Sequence, residues 1–173
     1  MTKIILFCLN ILNISLLTVN VTQAEQKYNN FISPSSKSYF IQHDSKEIFQ
    51  VKVLTSPEEL AKGFSGVKSE QVSAHQGLFF KFKQPEKRFF WMPDTYFNLM
   101  IIYLNEQLKV VDIVRDAPHH VGYSEKDSPI YRAPPIIAMH VLEIKSSSPT
   151  AQKIKKGSQF RWIKAPPNDF PQK

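Results

Sequence analysis

The residues best equipped for chemistry lie in the run Phe90-Trp91-Met92-Pro93-Asp94-Thr95 and in Asn98 just beyond it. A tryptophan beside a carboxylate at a strand end stacks on a sugar ring while the carboxylate accepts its hydroxyl hydrogens. A threonine and an amide close by extend such a polar site, and the loop residue His119 supplies one more group that changes charge near neutral pH. Trp91, Asp94, Thr95, Asn98 and His119 therefore form the candidate ligand-binding set. The plain alternative makes the aromatic residues core anchors and Asp94-Thr95 a turn or cap.

His119-His120, with Asp112 and Asp116 nearby, invites a metal reading. Adjacent side chains on an extended chain point in opposite directions, so this pair does not chelate one ion unaided, and His75 and His140 are distant in sequence. No metal or cofactor site is assigned. A Gly-x-Ser-x-Gly elbow is absent, Ser65 lies in the wrong context for one, and no glycine-rich phosphate loop exists. No catalytic residue is assigned. The enzymatic alternative is an envelope hydrolase in which Asp94 and His119 or His120 act as an acid/base pair. Glu143, alone on the apolar run Val141-Leu142-Glu143-Ile144, reads as a strand acid facing a lysine or arginine across the sheet.

Short β-branched and aromatic runs must position these groups. Tyr39-Phe40-Ile41 and residues 48–53 read as strands, as do 77–82, 89–92, 99–104, 108–114, 140–144 and 160–163. A turn is expected at Gln84-Pro85-Glu86-Lys87. Ser56-Pro57-Glu58-Glu59 is a helix start, with Ser56 as cap, Pro57 in the first helical position and Glu59 completing a capping box. Gly63 and Gly66 end that helix early. Residues 99–104 are apolar without interruption, which places them and the following strand at the centre of a sheet covered on both faces. Four prolines punctuate 115–138, a long loop expected to cross one end of the sheet, and 149–154 suits a helical turn. The expected fold is mainly β, a compact antiparallel jelly-roll-like sandwich or barrel with one short helix.

The start of the chain has its own logic. Lys3, the apolar stretch 4–19 and the small residues Thr22 and Ala24 describe a secretory signal peptide over residues 1–24, followed by a polar leader at 25–37, one β domain at 38–165 and a tail at 166–173. Cleavage after Ala24 removes Cys8, the only cysteine, so thiol chemistry leaves with the signal. Of 173 residues, 22 are Lys or Arg and 15 Asp or Glu, a formal net charge of +7. With export to the periplasm or beyond, that excess points to anionic envelope surfaces or glycans rather than nucleic acid, in a monomer without a membrane span once processed.

Several segments together resemble one family, the domain of unknown function 192. They are Ala61-Lys62-Gly63-Phe64-Ser65-Gly66, Gln76-Gly77-Leu78-Phe79-Phe80-Lys81-Phe82, Phe90-Trp91-Met92-Pro93-Asp94-Thr95, Asn98 to Leu104 and Val141-Leu142-Glu143-Ile144. The resemblance spans roughly residues 47 to 163 and implies a compact jelly-roll-like β fold, frequent export and no settled activity. Relatives commonly carry Asp where this chain has Asn98, and Lys or a similar residue where it has Pro93. The function expected is a non-catalytic module that binds a small ligand, a glycan or an envelope protein.

Overall fold

The computed structural model describes residues 31–32, 38–122 and 130–166. The signal-peptide reading, most of the leader and nearly all of the tail lie outside them. Seven strands form one sheet: β1 (Tyr39–His43), β2 (Ile48–Leu54), β3 (Gln76–Arg88), β4 (Leu99–Leu104), β5 (Val110–Ala117), β6 (Ile136–Lys145) and β7 (Phe160–Lys164). Their spatial order is β5-β4-β6-β3-β2-β1-β7. Every pairing is antiparallel except β2 with β3. That parallel pair needs a crossover, and the helix α1 (Pro57–Lys62) with a 3₁₀ turn at Ser69–Gln71 provides it.

The fold is mainly β, a curled half barrel with α1 as the one α-helix among the described residues. The two outer strands meet at one end, where Val110 N–H donates to the Ser158 carbonyl at 2.9 Å and Phe160 N–H to that of Leu108 at 3.0 Å. The sheet thus has two buried faces. Ile41, Phe49, Phe79, Met100, Ile102 and Leu142 fill the inside of the curl. Leu54, Phe64, Leu78, Phe80, Ile101 and Tyr103 face outward, under α1 and the connections after β3 and β5.

The capping box at α1 forms as its residue spacing dictates. Glu59 N–H donates to Ser56 Oγ at 3.2 Å, and Ser56 N–H returns to the Glu59 carboxylate at 3.5 Å. Residues 149–154 supply a second 3₁₀ turn, Ala151–Lys153. Three expectations are corrected. Gln84-Pro85-Glu86-Lys87 is not a turn: β3 runs through it, and the register shift against β6 between Lys81 and Glu86 gives Pro85 a place where no ladder amide is needed. Residues 89–92 form no strand, only an isolated bridge between Trp91 and Arg132. The hairpin of β4 and β5 is not the sheet centre, because β5 is an edge; β4 alone is flanked and wholly buried, as its apolar run requires.

β3 is held against β6 by a close approach at Gly77. A Cβ built there lies 2.6 Å from the Glu143 carbonyl oxygen and 3.0 Å from an Ile144 methyl. Both belong to the paired strand, so relief requires moving the ladder itself. Gly77→Ala should therefore cost about 2 to 3 kcal/mol, as overpacking in a close-packed interior does. Urea unfolding measures it, and a midpoint within error of wild type would show that the ladder yields more easily than this geometry implies.

Candidate functional site

The five residues singled out by type and spacing divide into two groups. Asp94 sits in the left-handed region at φ 47°, a conformation Asp and Asn tolerate better than most residues. Its carboxylate accepts the Gly122 N–H at 3.0 Å, its own N–H reaches the Gly122 carbonyl at 3.2 Å, and its carbonyl accepts the Gly66 N–H at 2.9 Å. The Tyr96 hydroxyl also bonds to this carboxylate, which raises the phenol's pKa. Asp94 thus ties the glycine turn after α1 to the loop after β5, and none of these bonds goes to a histidine.

Thr95 and Asn98 continue the same seam. Buried Thr95 donates its hydroxyl to the Met92 carbonyl at 3.1 Å and accepts the His120 N–H at 3.0 Å. Asn98 Oδ1 accepts the His119 N–H at 2.9 Å and lies 2.7 Å from His119 Nδ1, so that ring nitrogen carries the proton. Asn98 Nδ2 donates to Asp116 at 2.9 Å. Asp94, Thr95 and Asn98 therefore spend their polar groups holding residues 118–122 against the domain. Their partners are mostly backbone amides, which no residue pattern reveals.

Trp91 behaves differently. It is 38% exposed, with the Arg132 guanidinium 5.3 Å from its ring centre. Its side chain borders a cleft of about 300 Å³ between the end of α1 and the Phe89–Pro93 segment, over the outward face of the sheet. Phe80, Phe82 and Phe90 wall it, and Thr95 reaches its edge. Phe90 packs edge-on to Phe80 with ring centres 5.0 Å apart, and Arg88 lies flat on Phe82 at 3.7 Å.

Glu143 lies in the floor of this cleft. It is 4% exposed and has no hydrogen-bond or ion-pair partner among the described residues. The lysine or arginine expected opposite it is not there: across the ladders stand Leu78 on β3 and Ile101 on β4, both apolar. Burial alone pushes its pKa up to about 8, so the carboxyl is mostly protonated at neutral pH. Gly63, at φ 48°, brings backbone close above it; a Cβ there lies 3.6 Å from Glu143 Oε2 and 3.3 Å from the Phe80 ring. The nearby Tyr103 hydroxyl is also buried without a partner, and burial first, then the Glu143 charge, raises its pKa.

The histidines do not join this site. His140 points to the other face, where its ring packs 5.2 Å from Phe79 and Nδ1 accepts the Phe82 N–H at 3.3 Å. Burial, then Lys81 and Arg88, lowers its pKa to about 4. Among the described residues no three His, Cys, Asp or Glu side chains converge on a metal-sized point.

The model of the family domain of unknown function 192, described as an uncharacterized ACR, matches residues 39–162. The chain belongs to that family. In domain of unknown function 192 terms, the match takes in β1 to β6, the first three residues of β7 and every residue of the cleft. No curated protein matches the chain. Two solved structures share its fold. One, from Sinorhizobium meliloti and provisionally described as a transcription regulator, has 17% identity and a TM-score of 0.58, with 73% of this chain and 94% of that one covered. The other, a protein of unknown function from Novosphingobium aromaticivorans, has 24% identity and a TM-score of 0.57, covering 76% and 91%.

Two outcomes test the site's architecture. Asp94→Asn keeps both the left-handed conformation and an acceptor for Gly122, so it should leave stability within about 0.5 kcal/mol, whereas Asp94→Ala should lose about 1 to 2 kcal/mol. Equal stabilities in urea would show that the carboxylate seam contributes nothing.

The Glu143 carboxyl sets a pH dependence whose sign follows from its raised pKa. Between the ordinary value of 4.5 and about 8 the unfolded chain has released this proton and the native one retains it. Native stability accordingly falls by about 1.4 kcal/mol per pH unit across that window from this group. Glu143→Gln should flatten the decline and be the more stable protein at pH 8. Parallel unfolding curves for the two proteins from pH 5 to 8 would contradict it.

Proposed function

We propose that this protein is a non-catalytic binding domain for a small organic molecule, exported to the cell envelope, with the ligand seated in the cleft between α1 and the Phe89–Pro93 segment. The observation that carries the reading is Glu143. A buried carboxyl facing a cleft costs stability when left without a partner, and a ligand supplying a hydrogen-bonding group there removes part of that cost. The walls suit such a ligand, since Phe80, Phe82, Phe90 and Trp91 offer apolar faces around one deep polar point, the usual make-up of a small-molecule site. Export rests on the signal-like segment of residues 1–24, and the basic excess suits an anionic envelope surface.

Within this reading Trp91 and Thr95 border the ligand, and Asp94, Asn98 and His119 hold the loop beside it. The acid/base pairing of Asp94 with His119 or His120 gains no support from the hydrogen bonds that Asp94 makes. The transcription-regulator description of one fold neighbour stays with that protein, because 17% identity carries the fold alone.

Fragment binding followed by amide chemical-shift mapping on the protein tests the reading. Shifts should concentrate on Gly63, Ser65, Trp91 and Thr95. Trp91→Ala should weaken the bound fragments about tenfold, since an aromatic wall contributes on the order of 1 kcal/mol beyond its area, with little loss of stability from this part-exposed position. Undiminished binding to Trp91→Ala would remove the tryptophan from the site.

A further inference from the structure

The cleft sorts its polar groups by depth. Glu143 lies at the floor and forms no ion pair with the lysines or the arginine of the lining. Those lysines are Lys62, at the last position of α1, and Lys87, near the end of β3; both are exposed, and neither has an ion-pair partner among the described residues. Arg88 is already engaged, stacked on Phe82 and bonded to the Ala138 carbonyl and Glu86. Between mouth and floor the walls are aromatic. Glu143 is the one acid in the lining, and it is mostly protonated at neutral pH, which leaves the cleft with positive charge at its entrance and an uncharged hydrogen-bonding group at its base.

From this arrangement, which rests on the cleft being the binding site, we infer that the ligand is a small organic acid with an aromatic or similarly flat apolar body: its anionic group meets Lys62 and Lys87 at the mouth, its body lies against Phe80 and Phe90, and an uncharged hydroxyl or carbonyl at its far end bonds to the Glu143 carboxyl. A protonated carboxyl both donates and accepts, so it serves either far-end group. A cationic ligand meets the opposite conditions, since the mouth repels it and the floor must first lose a proton in an apolar setting. A purely apolar molecule leaves the floor carboxyl without its partner.

Three probes that share a phenol ring, and so the same far-end hydroxyl, test the charge at the mouth: opposite the hydroxyl 4-hydroxyphenylacetate carries an anionic group, tyramine a cationic one and p-cresol an uncharged methyl. Titrated into the protein at pH 7 and followed by amide shifts at Gly63, Ser65 and Trp91, 4-hydroxyphenylacetate should bind at least fivefold tighter than either of the others. Its affinity should fall with added sodium chloride, while that of p-cresol should not. The double variant Lys62→Gln/Lys87→Gln should bring 4-hydroxyphenylacetate down to the level of p-cresol and leave p-cresol unchanged. Tyramine binding as tightly as the acid, or an acid affinity indifferent to the double variant, overturns the inference while leaving the cleft as the site. Absence of shifts at those residues with all three probes overturns the inference and the binding reading beneath it.

Discussion

The pairing of β3 with β6 is the constraint on which the rest of this molecule depends. Gly77 gives up its side chain so that the two strands lie in contact at Glu143 and Ile144, and that register decides what every neighbouring residue faces. Phe79 turns into the curl and Leu78 and Phe80 turn outward, so one strand serves two cores. The same register places Glu143 between Leu78 and Ile101, beyond the reach of any cation on the sheet. A one-residue slip would exchange the faces and bury Lys81 in place of Phe80, which is why the ladder tolerates so little ambiguity.

A carboxyl held this way is a standing cost. Among the described residues nothing offsets it, and an apolar residue of similar size at position 143 would pack against Leu78, Ile101 and Val141 without penalty. Tyr103 adds a second orphan, a hydroxyl buried on the same face. Structures retain such groups where strain or desolvation serves a site, and here Glu143 lies under the space that α1 and the Phe89–Pro93 segment leave above the sheet.

How much of this the sequence discloses depends on whether the information is local. The capping box at Ser56 and Glu59 is a contact across three residues, so the residue types suffice to read it. The burial of β4 on both faces is likewise written in Leu99 to Leu104. Pro85 misleads because proline signals a turn only when the strand cannot place it at an irregularity, and the register shift that accommodates it is a property of the partner strand. Asp94 and Asn98 are visible as polar residues in a distinctive motif, yet what they do depends on backbone amides more than twenty residues away. Glu143 is the clearest case. Its apolar neighbours along the chain suggest a strand acid, but only the cross-strand register reveals that its partners are leucine and isoleucine.

The division of labour between the two polar groups of residues follows from their exposure and their partners. Asp94, Thr95 and Asn98 have their hydrogen bonds satisfied within the domain and so have little left to offer a ligand; what they provide is rigidity, fixing the glycine turn and the 118–122 segment to the Asp94–Asn98 stretch. Gly63, at the start of that turn, lies close over Glu143, so the same frame fixes what stands above the buried acid. The motif that looks chemical is therefore a hydrogen-bonded frame, and the acid that looks structural is the one left without a partner among the described residues. A seam of satisfied hydrogen bonds thus lies beside two buried groups, the Glu143 carboxyl and the Tyr103 hydroxyl, that have no partner among the described residues, and cross-strand register rather than the motif sets that contrast.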